Sequence, residues 1–336
     1  MTDRTPVLAI TLGDPAGIGP EVVVRALAAP RVLQGCRALV IGDVRVLRRT
    51  ETLCGESLSL RVVTQASFPK DWQPDEVLVL DQPSEAGKMP RYGELSAVCG
   101  RAAVQSVETA IELAVSRNVD AIVTAPLNKE AMRLAGFEFD GHTELLAKRT
   151  GTENVCMLLA GERLRVAHVT GHRSLREAAV CPSRERIQAV IELTCDAMLR
   201  LGLRIPRIAV AGLNPHAGEQ GLFGWEEVEV IGPLVAELGK ATSDAQITGP
   251  YPPDSIFRRA AAGEFDAVIA MYHDQGHIPI KMIEFDTAVN VTLGMPIIRT
   301  SPDHGTAFDI AGKGIANPTN MIAAIQLAAR MARAGA

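Results

Sequence analysis

The chain alternates short apolar runs with longer amphipathic stretches. VLAITLG at 7–13, DAIVTAPL at 120–127 and DAVIAMY at 266–272 have the length and β-branched content of buried strands. Between such runs lie stretches with apolar residues at helical spacing, for example SAVCGRAAVQSVETAIELAVSR at 96–117. Continuous apolar strands that alternate with helices predict an α/β fold with a largely parallel sheet.

Polar clusters follow several of these predicted strands. In open parallel sheets the carboxyl ends of the strands form the crevice in which ligands bind. The clusters therefore predict one cleft lined by five loops, which are GDPAGIG (13–19), TAPLNK (124–129), TGHR (170–173), NPHAGE (214–219) and HDQGH (273–277).

Length and composition narrow the classes of function. The chain has 336 residues, 47% of them hydrophobic, which is typical of two domains or one large one. Its net charge is -5 and it has no long basic run, which argues against nucleic acid and anionic membranes as partners. No apolar run approaches the ~20 residues of a membrane span, and no secretion signal is present, so we expect a cytoplasmic protein. The six scattered cysteines are typical of buried, reduced thiols.

Three of the seven histidines follow different predicted strands, namely His172, His216 and His273. Each alone is typical of a loop histidine that makes a hydrogen bond. Three at equivalent strand ends could instead close on a divalent ion and leave positions open for a substrate, so we predict a catalytic metal site. Histidine ligands suit zinc, manganese, cobalt and nickel alike, and magnesium is kept as a further candidate. His168 lies inside a predicted strand and is expected in the core.

Two carboxylates accompany these histidines. An open divalent ion can hold a hydroxyl and a carboxylate, which suits oxidation of an alcohol followed by loss of CO2. Asp254 and Asp274 are candidates for supporting the metal ligands or for transferring a proton. Either could equally cap a helix, since Asp254 begins the predicted helix DSIFRRA.

A second group of residues predicts an anion site. In GHTELLA, His142 and Thr143 follow a glycine and begin a predicted helix, where free N–H groups and the helix dipole favour an anion. A simple threonine cap is the alternative. Lys281, Asn290 and Arg299, in separate runs predicted to be β-rich, would add a point charge, an amide and a guanidinium fork. Together these groups are the parts of a phosphate clamp.

Several longer motifs resemble the 4-hydroxythreonine-4-phosphate dehydrogenase family (PdxA). They extend from about Ala9 to the C-terminal helix and are GDPAGIGPE, GHTE, NPHAGE, YHDQG, VNVTLGMPIIRTS and DHGTA. The resemblance implies a homodimer with a divalent metal, which uses NAD to oxidise a secondary alcohol of a 4-phosphorylated four-carbon acid. The β-keto acid that results would then lose CO2.

The same resemblance implies roles for individual residues. The metal ligands that it implies are His172, His216 and His273. One of the three would come from the neighbouring subunit, which puts the active site at the dimer interface. The substrate-binding positions that it implies are His142, Thr143, Lys281, Asn290 and Arg299. The candidates for catalytic roles are Asp254, which matches an acidic position near the site, Asp274 and Lys281.

A second similarity covers HGTAFDIAGKGIANPT at 304–319, which looks like the nucleotide loop of isopropylmalate and isocitrate dehydrogenases. It implies that Asp309 binds the ribose hydroxyls of the adenosine and Asn317 the adenine, with Gly305 in the same cofactor-binding loop. A carboxylate at Asp309 would repel a 2′-phosphate, so NAD is favoured over NADP. GxxxGxG near the N-terminus is not the dinucleotide fingerprint.

The fold implied by this similarity is a two-lobed α/β/α architecture like that of isocitrate and isopropylmalate dehydrogenases, with the cleft between the lobes. Because the nucleotide loop and the final helix follow the metal segment, the two ends of the chain are expected to share one lobe. We predict a cofactor lobe from 1–126 plus 287–336. Residues 127–286 would form the lobe for metal, substrate and dimerisation.

One motif departs from the usual pattern of the family. Biosynthetic members read His-Asp-Gln-Gly-Leu-Pro, whereas this chain reads HDQGHIPIK. That variant resembles relatives that act on 4-phospho-D-threonate or 4-phospho-D-erythronate, and His277 could contact the substituent at C2 or simply pack in the fold. It also resembles relatives that oxidise aromatic cis-dihydrodiols. GHTE, Asn290 and Arg299 favour the phosphorylated substrate over the diol.

Two other classes of protein share parts of this pattern. A non-catalytic protein that binds a phosphorylated metabolite would need the anion clamp but neither metal ligands nor a cofactor loop. A phosphate acyltransferase would share a related α/β fold. Formation of NADH would distinguish an enzyme from the binding protein, and the three histidines and the loop around Asp309 argue against the acyltransferase.

Overall fold

The computed structural model describes residues 4–64, 68–69, 71–84, 87–180 and 182–334 of the chain. The chain divides into two compact units. The first unit comprises residues 1–153 and 295–336, and the second unit comprises residues 154–294.

The first unit is an all-parallel sheet with helices packed on it. Its strands are β1 (Val7–Thr11), β2 (Arg37–Gly42), β3 (Ser59–Val63), β4 (Glu76–Asp81), β5 (Ala121–Thr124) and β12 (Arg299–Pro302), in the order β3-β4-β2-β1-β5-β12. Its helices are α1 (Gly19–Ala28), α2 (Val32–Gly35), α3 (Val44–Cys54), α4 (Ala97–Val115), α5 (Lys129–Leu134), α6 (His142–Thr150) and α12 (Thr319–Ala334). Leu8, Ala9 and Ile10 of β1 are fully buried, as expected of a parallel strand covered on both faces. Helix α4 packs against β1 and β2, and α12 packs against β5 and β12.

The second unit has a mixed sheet. Its strands are β6 (Cys156–Ala160), β7 (Arg165–His168), β8 (Arg207–Ala211), β9 (Gln246–Tyr251), β10 (Ala267–Ala270) and β11 (Val289–Leu293), in the order β11-β6-β7-β10-β8-β9. Its helices are α7 (Leu175–Ala179), α8 (Arg184–Arg200), α9 (Gly232–Ala241), α10 (Pro253–Ala261) and α11 (His273–Glu284), with a 3-10 turn at Pro215–Gly221 and a π-helical turn at Glu227–Ile231. Strands β7, β10, β8 and β9 are parallel, whereas β6 runs antiparallel to both β11 and β7. The predicted α/β class with a largely parallel sheet is confirmed.

The division of the chain differs from the predicted lobes at two places. Residues 127–153 lie in the first unit, because α5 packs against α4 and Arg149 of α6 pairs with Glu108 of α4. Residues 287–294 lie in the second unit, because β11 pairs with β6. The functional assignment of each lobe stays a prediction.

The segment from His273 to Glu284 is helical, although IPIKMI had been predicted to be β-rich. Its buried residues include Gln275, Ile280 and Glu284, which lie four to five residues apart, a spacing typical of a helix with one buried face. Pro279 lies inside this helix, so the carbonyl of Gln275 lacks its usual helical donor. Lys281 therefore projects from a helix and not from a strand.

Two smaller expectations also have an outcome. Within the described part of the chain, no helix combines the length and the apolar character needed to cross a bilayer. Cys36, Cys54, Cys99, Cys156 and Cys195 are free thiols, of which Cys54 and Cys195 are only half-buried. Cys181 lies outside the described residues.

Candidate active site

The three predicted metal ligands follow three neighbouring parallel strands of the second unit. Strand β10 lies between β7 and β8, with Ala270 paired to His168 of β7 and Ala267 paired to Ile208 of β8. His172 follows β7, His273 follows β10 and His216 follows β8. Because the carboxyl ends of parallel strands meet at the same edge of a sheet, the topology places all three loops along one edge.

Side-chain and backbone hydrogen bonds join these strand ends. The carbonyl of Met271 accepts hydrogen bonds from the amide (3.3 Å) and the hydroxyl (2.9 Å) of Thr170. The Gln275 amide oxygen accepts from the Met271 N–H at 2.7 Å, and its Nε2 donates to the Gly212 carbonyl at 2.8 Å. Gln275 thus links α11 to the ends of β10 and β8, a role that sequence reasoning missed. The feature of the sequence that could have indicated this role is that Gln275 is a polar residue that follows a buried strand closely.

His172 and His273 lie close together, with ring centroids 5.4 Å apart. The Nδ1 atom of His273 is 2.7 Å from Oδ1 of Asp274, which favours the tautomer with the proton on Nδ1, and in that neutral tautomer Nε2 keeps its lone pair. Nδ1 of His216 lies 3.8 Å from Oδ1 of Asp254. Neither carboxylate makes a capping hydrogen bond to the helix on which it lies, so the capping alternative was wrong.

The donor set fits a divalent ion, although one chain does not complete a centre. Two imidazoles, one of them fixed with its Nε2 lone pair available, are ligands that zinc and similar ions prefer. Among the described residues of a single chain, no group of three or more His, Cys, Asp or Glu side chains has the geometry to hold a metal ion. The three-histidine site therefore stays a prediction.

A chain of hydrogen bonds continues from the core to this histidine cluster. His168 is buried, as predicted, and its Nδ1 lies 3.4 Å from the Met157 carbonyl. A carbonyl can only accept, so Nδ1 of His168 carries the proton and its Nε2 is an acceptor. Nδ1 of His277 lies 3.1 Å from this Nε2 and must donate to it, which leaves Nε2 of His277 with a lone pair.

The His277 ring also stacks on His273, with centroids 3.6 Å apart and an angle of 13° between the planes. Gly276 permits the close approach of His168 to this helix, because a Cβ at that position would lie 2.5 Å from Nε2 of His168. Burial is the main cause that lowers the pKa of His168 to about 3, and repulsion from the His277 ring in its protonated form contributes to the same shift. His277 is thus part of the cluster.

The predicted anion site has its strongest features in the first unit, at the end of β5. Arg299 is only 3% exposed, and its Nε and Nη2 donate to the Thr124 hydroxyl at 3.1 and 2.7 Å. Burial lowers the pKa of Arg299 to about 9, so the guanidinium remains a cation at neutral pH. Thr124 is a second residue that sequence reasoning missed, because its partner lies 175 positions away.

His142 and Thr143 occupy the first turn of α6, as predicted. Gly141 occupies the N-cap position of α6, with a φ of 140° that favours glycine. Because no side chain caps this helix, the prediction of a simple threonine cap was wrong. Burial of the His142 ring, followed by the charge of Arg299, holds the pKa of His142 well below its usual value. Its Nε2 is buried and has no hydrogen-bond partner among the described residues. The cation, the neutral imidazole and the helix start form an environment suited to an anion.

The other two predicted clamp residues belong to the second unit. Nζ of Lys281 lies 5.1 Å from the ring centroid of Phe285. Asn290 on β11 donates from Nδ2 to the Met157 sulfur at 3.4 Å, while its Oδ1 is buried without a hydrogen-bond partner in the described structure. Their roles in binding stay predictions.

The predicted cofactor loop is held by the N-terminal glycine-rich turn and by α1. The amide of Ile18 donates to the Thr306 carbonyl at 2.9 Å, and Glu21 accepts from the amide of Gly312 at 2.7 Å. Arg25 donates to the carbonyl of Ala316 at 2.8 Å. A Cβ at Gly17 would lie 2.9 Å from Thr306, which explains the glycine. The turn therefore supports the loop.

Gly305, Asp309 and Asn317 are all exposed on this loop. The carboxylate of Asp309 is therefore open to a ribose. The carbonyl oxygen of Asn317 accepts from the amide (3.0 Å) and the hydroxyl (2.7 Å) of Thr319, at the start of α12. Only the amide nitrogen of Asn317 is left to donate to a base. The cofactor roles of the three residues stay predictions.

Comparisons with known proteins agree with the resemblance of the motifs. A family model described as pyridoxal phosphate biosynthetic protein PdxA matches residues 34–328. The chain is 47% identical over 333 residues to a D-threonate 4-phosphate dehydrogenase of Cupriavidus necator, with 99% of both chains covered. It is 46% identical over 326 residues to a 4-hydroxythreonine-4-phosphate dehydrogenase of Desulfosudis oleivorans, with 96% of this chain and 95% of the relative covered. A crystal structure of 4-hydroxythreonine-4-phosphate dehydrogenase from Klebsiella pneumoniae has a TM-score of 0.86 and 44% identity, and the match covers 98% of this chain and 100% of that one.

Proposed function

Because the chain belongs to the PdxA family, we propose that it is a dehydrogenase that uses NAD and a divalent metal. Its substrate is a 4-phosphorylated four-carbon hydroxy acid, which it oxidises and decarboxylates. The observation that carries the proposal is the buried guanidinium of Arg299 beside Thr124 and the start of α6. A buried cation next to free helix N–H groups is a site for a phosphate and is costly to maintain without one.

Among the substrates of this class we place 4-phospho-D-threonate and 4-phospho-D-erythronate before 4-phosphohydroxy-L-threonine. The motif HDQGH supports this order, as does the similarity to the D-threonate 4-phosphate dehydrogenase of Cupriavidus necator. The similarity to the 4-hydroxythreonine-4-phosphate dehydrogenase of Desulfosudis oleivorans is nearly as high. The order therefore depends on the motif and is open to direct test.

The residues of the chain divide the work of this reaction. Arg299 and the first turn of α6 bind and orient the phosphate, which fixes the position of the carbon chain. Asp274 holds the proton on Nδ1 of His273, so that Nε2 points its lone pair outward as a ligand. His172 and His216 complete the proposed ligand set, with one of the three imidazoles supplied by the second subunit of a homodimer. A bound divalent ion would supply a Lewis acid for the alcohol and for the negative charge that develops as CO2 leaves.

The remaining candidate residues would bind the cofactor or transfer a proton. The carboxylate of Asp309 would bind the ribose hydroxyls of NAD, which would supply the hydride acceptor for the secondary alcohol. Lys281, on the same helix as His273, binds the substrate or carries a proton, and Asp254 remains a candidate for proton transfer beside His216. In the overall balance the alcohol loses a hydride and a proton. The carbon–carbon bond to the carboxylate would then break, CO2 would leave, and the carbon that keeps the electron pair would take up a proton.

The proposal is tested by measuring NADH formation with purified, metal-replete protein and equal concentrations of the three phosphorylated acids. We expect turnover of at least one of them, with 4-phospho-D-threonate or 4-phospho-D-erythronate preferred. Preference for 4-phosphohydroxy-L-threonine would reverse the order of substrates and make the HDQGH variant incidental. No turnover of any of the three would reject the proposal and make aromatic cis-dihydrodiols the next substrates to test.

A further inference from the structure

His216 lies in an unusual backbone segment. Residues 216–220, which we call the left-handed turn, have φ values of 53°, 56°, 75°, 44° and 58°. Four of these five residues are not glycine, and L-residues rarely adopt this region because Cβ crowds the backbone. A run of such residues persists only where surrounding groups hold it, so the contacts of this turn should show what it is for.

The carboxylate of Glu227 provides those contacts. Glu227 is 3% exposed, and its Oε1 accepts a hydrogen bond from the amide of Asn214 at 2.7 Å. Its Oε2 accepts a second hydrogen bond from Nδ2 of Asn214 at 3.0 Å. Asn214 is the cap residue of the 3-10 turn that contains His216. A buried carboxylate thus holds Asn214, two positions before the left-handed turn.

Two glycines leave the space that this carboxylate occupies. A Cβ at Gly218, in the middle of the left-handed turn, would lie 2.5 Å from Oε2 of Glu227. A Cβ at Gly212, at the end of β8, would lie 3.0 Å from Oε1. The backbone therefore closes around the carboxylate on both sides of Asn214, and any displacement of Glu227 must displace the turn.

We propose that Glu227 is a positioning residue for His216, which it holds in place through Asn214 and the left-handed turn. The inference rests on the proposed function, since it takes His216 as a ligand of the catalytic metal. Glu227 is buried and accepts hydrogen bonds from Asn214. Its effect on the metal site should therefore pass through His216 alone.

The test is a titration of the chelator-stripped, full-length protein with Co²⁺, followed by the visible absorption of the bound ion. The variants are Glu227→Ala, Glu227→Gln, His216→Ala and the double variant. We expect Glu227→Ala to weaken Co²⁺ binding about tenfold, as is typical when a partner that orients a ligand is removed. Glu227→Gln keeps one acceptor for the Asn214 amide, so its affinity for Co²⁺ should lie between those of Glu227→Ala and the wild-type protein.

The double variant separates positioning from a general loss of structure. If Glu227 acts only through His216, the double variant should bind Co²⁺ no more weakly than His216→Ala alone. The matched control is Glu229→Ala, which removes an exposed carboxylate from the same π-helical turn and should bind Co²⁺ normally. Circular dichroism checks that each variant is folded, and Glu227→Gln carries the test if Glu227→Ala does not fold.

The outcomes distinguish this inference from the proposed function. A wild-type protein that binds Co²⁺, together with a Glu227→Ala variant that binds it equally well, overturns the inference and leaves the proposed function intact. A double variant that binds Co²⁺ more weakly than His216→Ala also overturns the inference, because Glu227 would then act on the metal site by a route other than His216. A wild-type protein that binds no Co²⁺ removes the metal from the proposed function, and the inference with it.

Discussion

Replacing Arg299 with methionine should abolish efficient use of a phosphorylated substrate without unfolding the protein. Arg299 is 3% exposed, and burial lowers its pKa from the usual value of an arginine to about 9. Because one pKa unit corresponds to ~1.4 kcal/mol, burial of the cation costs on the order of 5 kcal/mol in the absence of an anion. Methionine fills a similar space without a charge, so the free energy of unfolding should stay the same or rise.

The loss of function can be worked out from the same contacts. The guanidinium donates to the Thr124 hydroxyl from Nε and Nη2, and we assign two hydrogen bonds from this side chain to the phosphate. A hydrogen bond to a charged group contributes about 1.5–3 kcal/mol, so two of them contribute roughly 3–6 kcal/mol. We therefore expect kcat/KM for the phosphorylated acid to fall by about 10²–10⁴-fold in Arg299→Met.

The assay is steady-state formation of NADH with 4-phospho-D-threonate, and with D-threonate as the matched substrate that lacks the phosphate. Arg299→Lys keeps the charge without the planar fork and should lose less activity than Arg299→Met. The loss should be confined to the phosphorylated substrate, and the KM for NAD should change little. Equal losses for both substrates, or an equal rise in the KM for NAD, would refute the assignment of Arg299 to the phosphate.

Three further predictions follow from the histidine cluster and the cofactor loop. Removal of the metal with a chelator should abolish activity. His273→Ala should lower both kcat and the amount of bound metal, measured by elemental analysis. Full metal content in this variant would contradict the assignment of His273 as a metal ligand. Asp309→Ala should raise the KM for NAD and reduce discrimination against NADP, because the carboxylate that repels a 2′-phosphate is lost. An unchanged ratio of kcat/KM for NAD to kcat/KM for NADP would argue against this site. The pKa of His168 is about 3 in the folded protein, against about 6.5 when unfolded, so only the unfolded chain binds this proton between those values. The free energy of unfolding of the metal-free protein, measured by urea titration, should therefore fall as the pH is lowered from 6.5 towards 3. His168→Gln should reduce the dependence of this free energy on pH by up to ~1.4 kcal/mol per pH unit. An unchanged dependence on pH in the variant would show that His168 does not titrate in this way.

The sequence was informative wherever one element carried the whole signal. Buried parallel strands read as continuous apolar runs, so the strands that precede His172, His216 and His273 could be predicted, and with them the edge at which the three loops meet. The glycine before His142 likewise marked the start of a helix.

The sequence was uninformative where a role depends on contacts between distant residues. Thr124 and Gln275 lie in predicted polar clusters, but their roles follow from the bonds of Thr124 to Arg299 and of Gln275 to Gly212. IPIKMI has the composition of a strand, and only its packing in the fold shows that Lys281 lies on a helix. The division of the chain was misplaced for the same reason, since the pairing of β11 with β6 joins segments far apart in sequence.

The most direct test of the central claim is the joint measurement of NADH and CO2 from 4-phospho-D-threonate, with protein stripped of metal and then reloaded. D-threonate serves as the control substrate. The account predicts equal amounts of NADH and CO2 from the phosphorylated acid, only after the metal is restored, and little turnover of D-threonate. Equal turnover of both acids, or undiminished turnover by the stripped protein, would contradict the account.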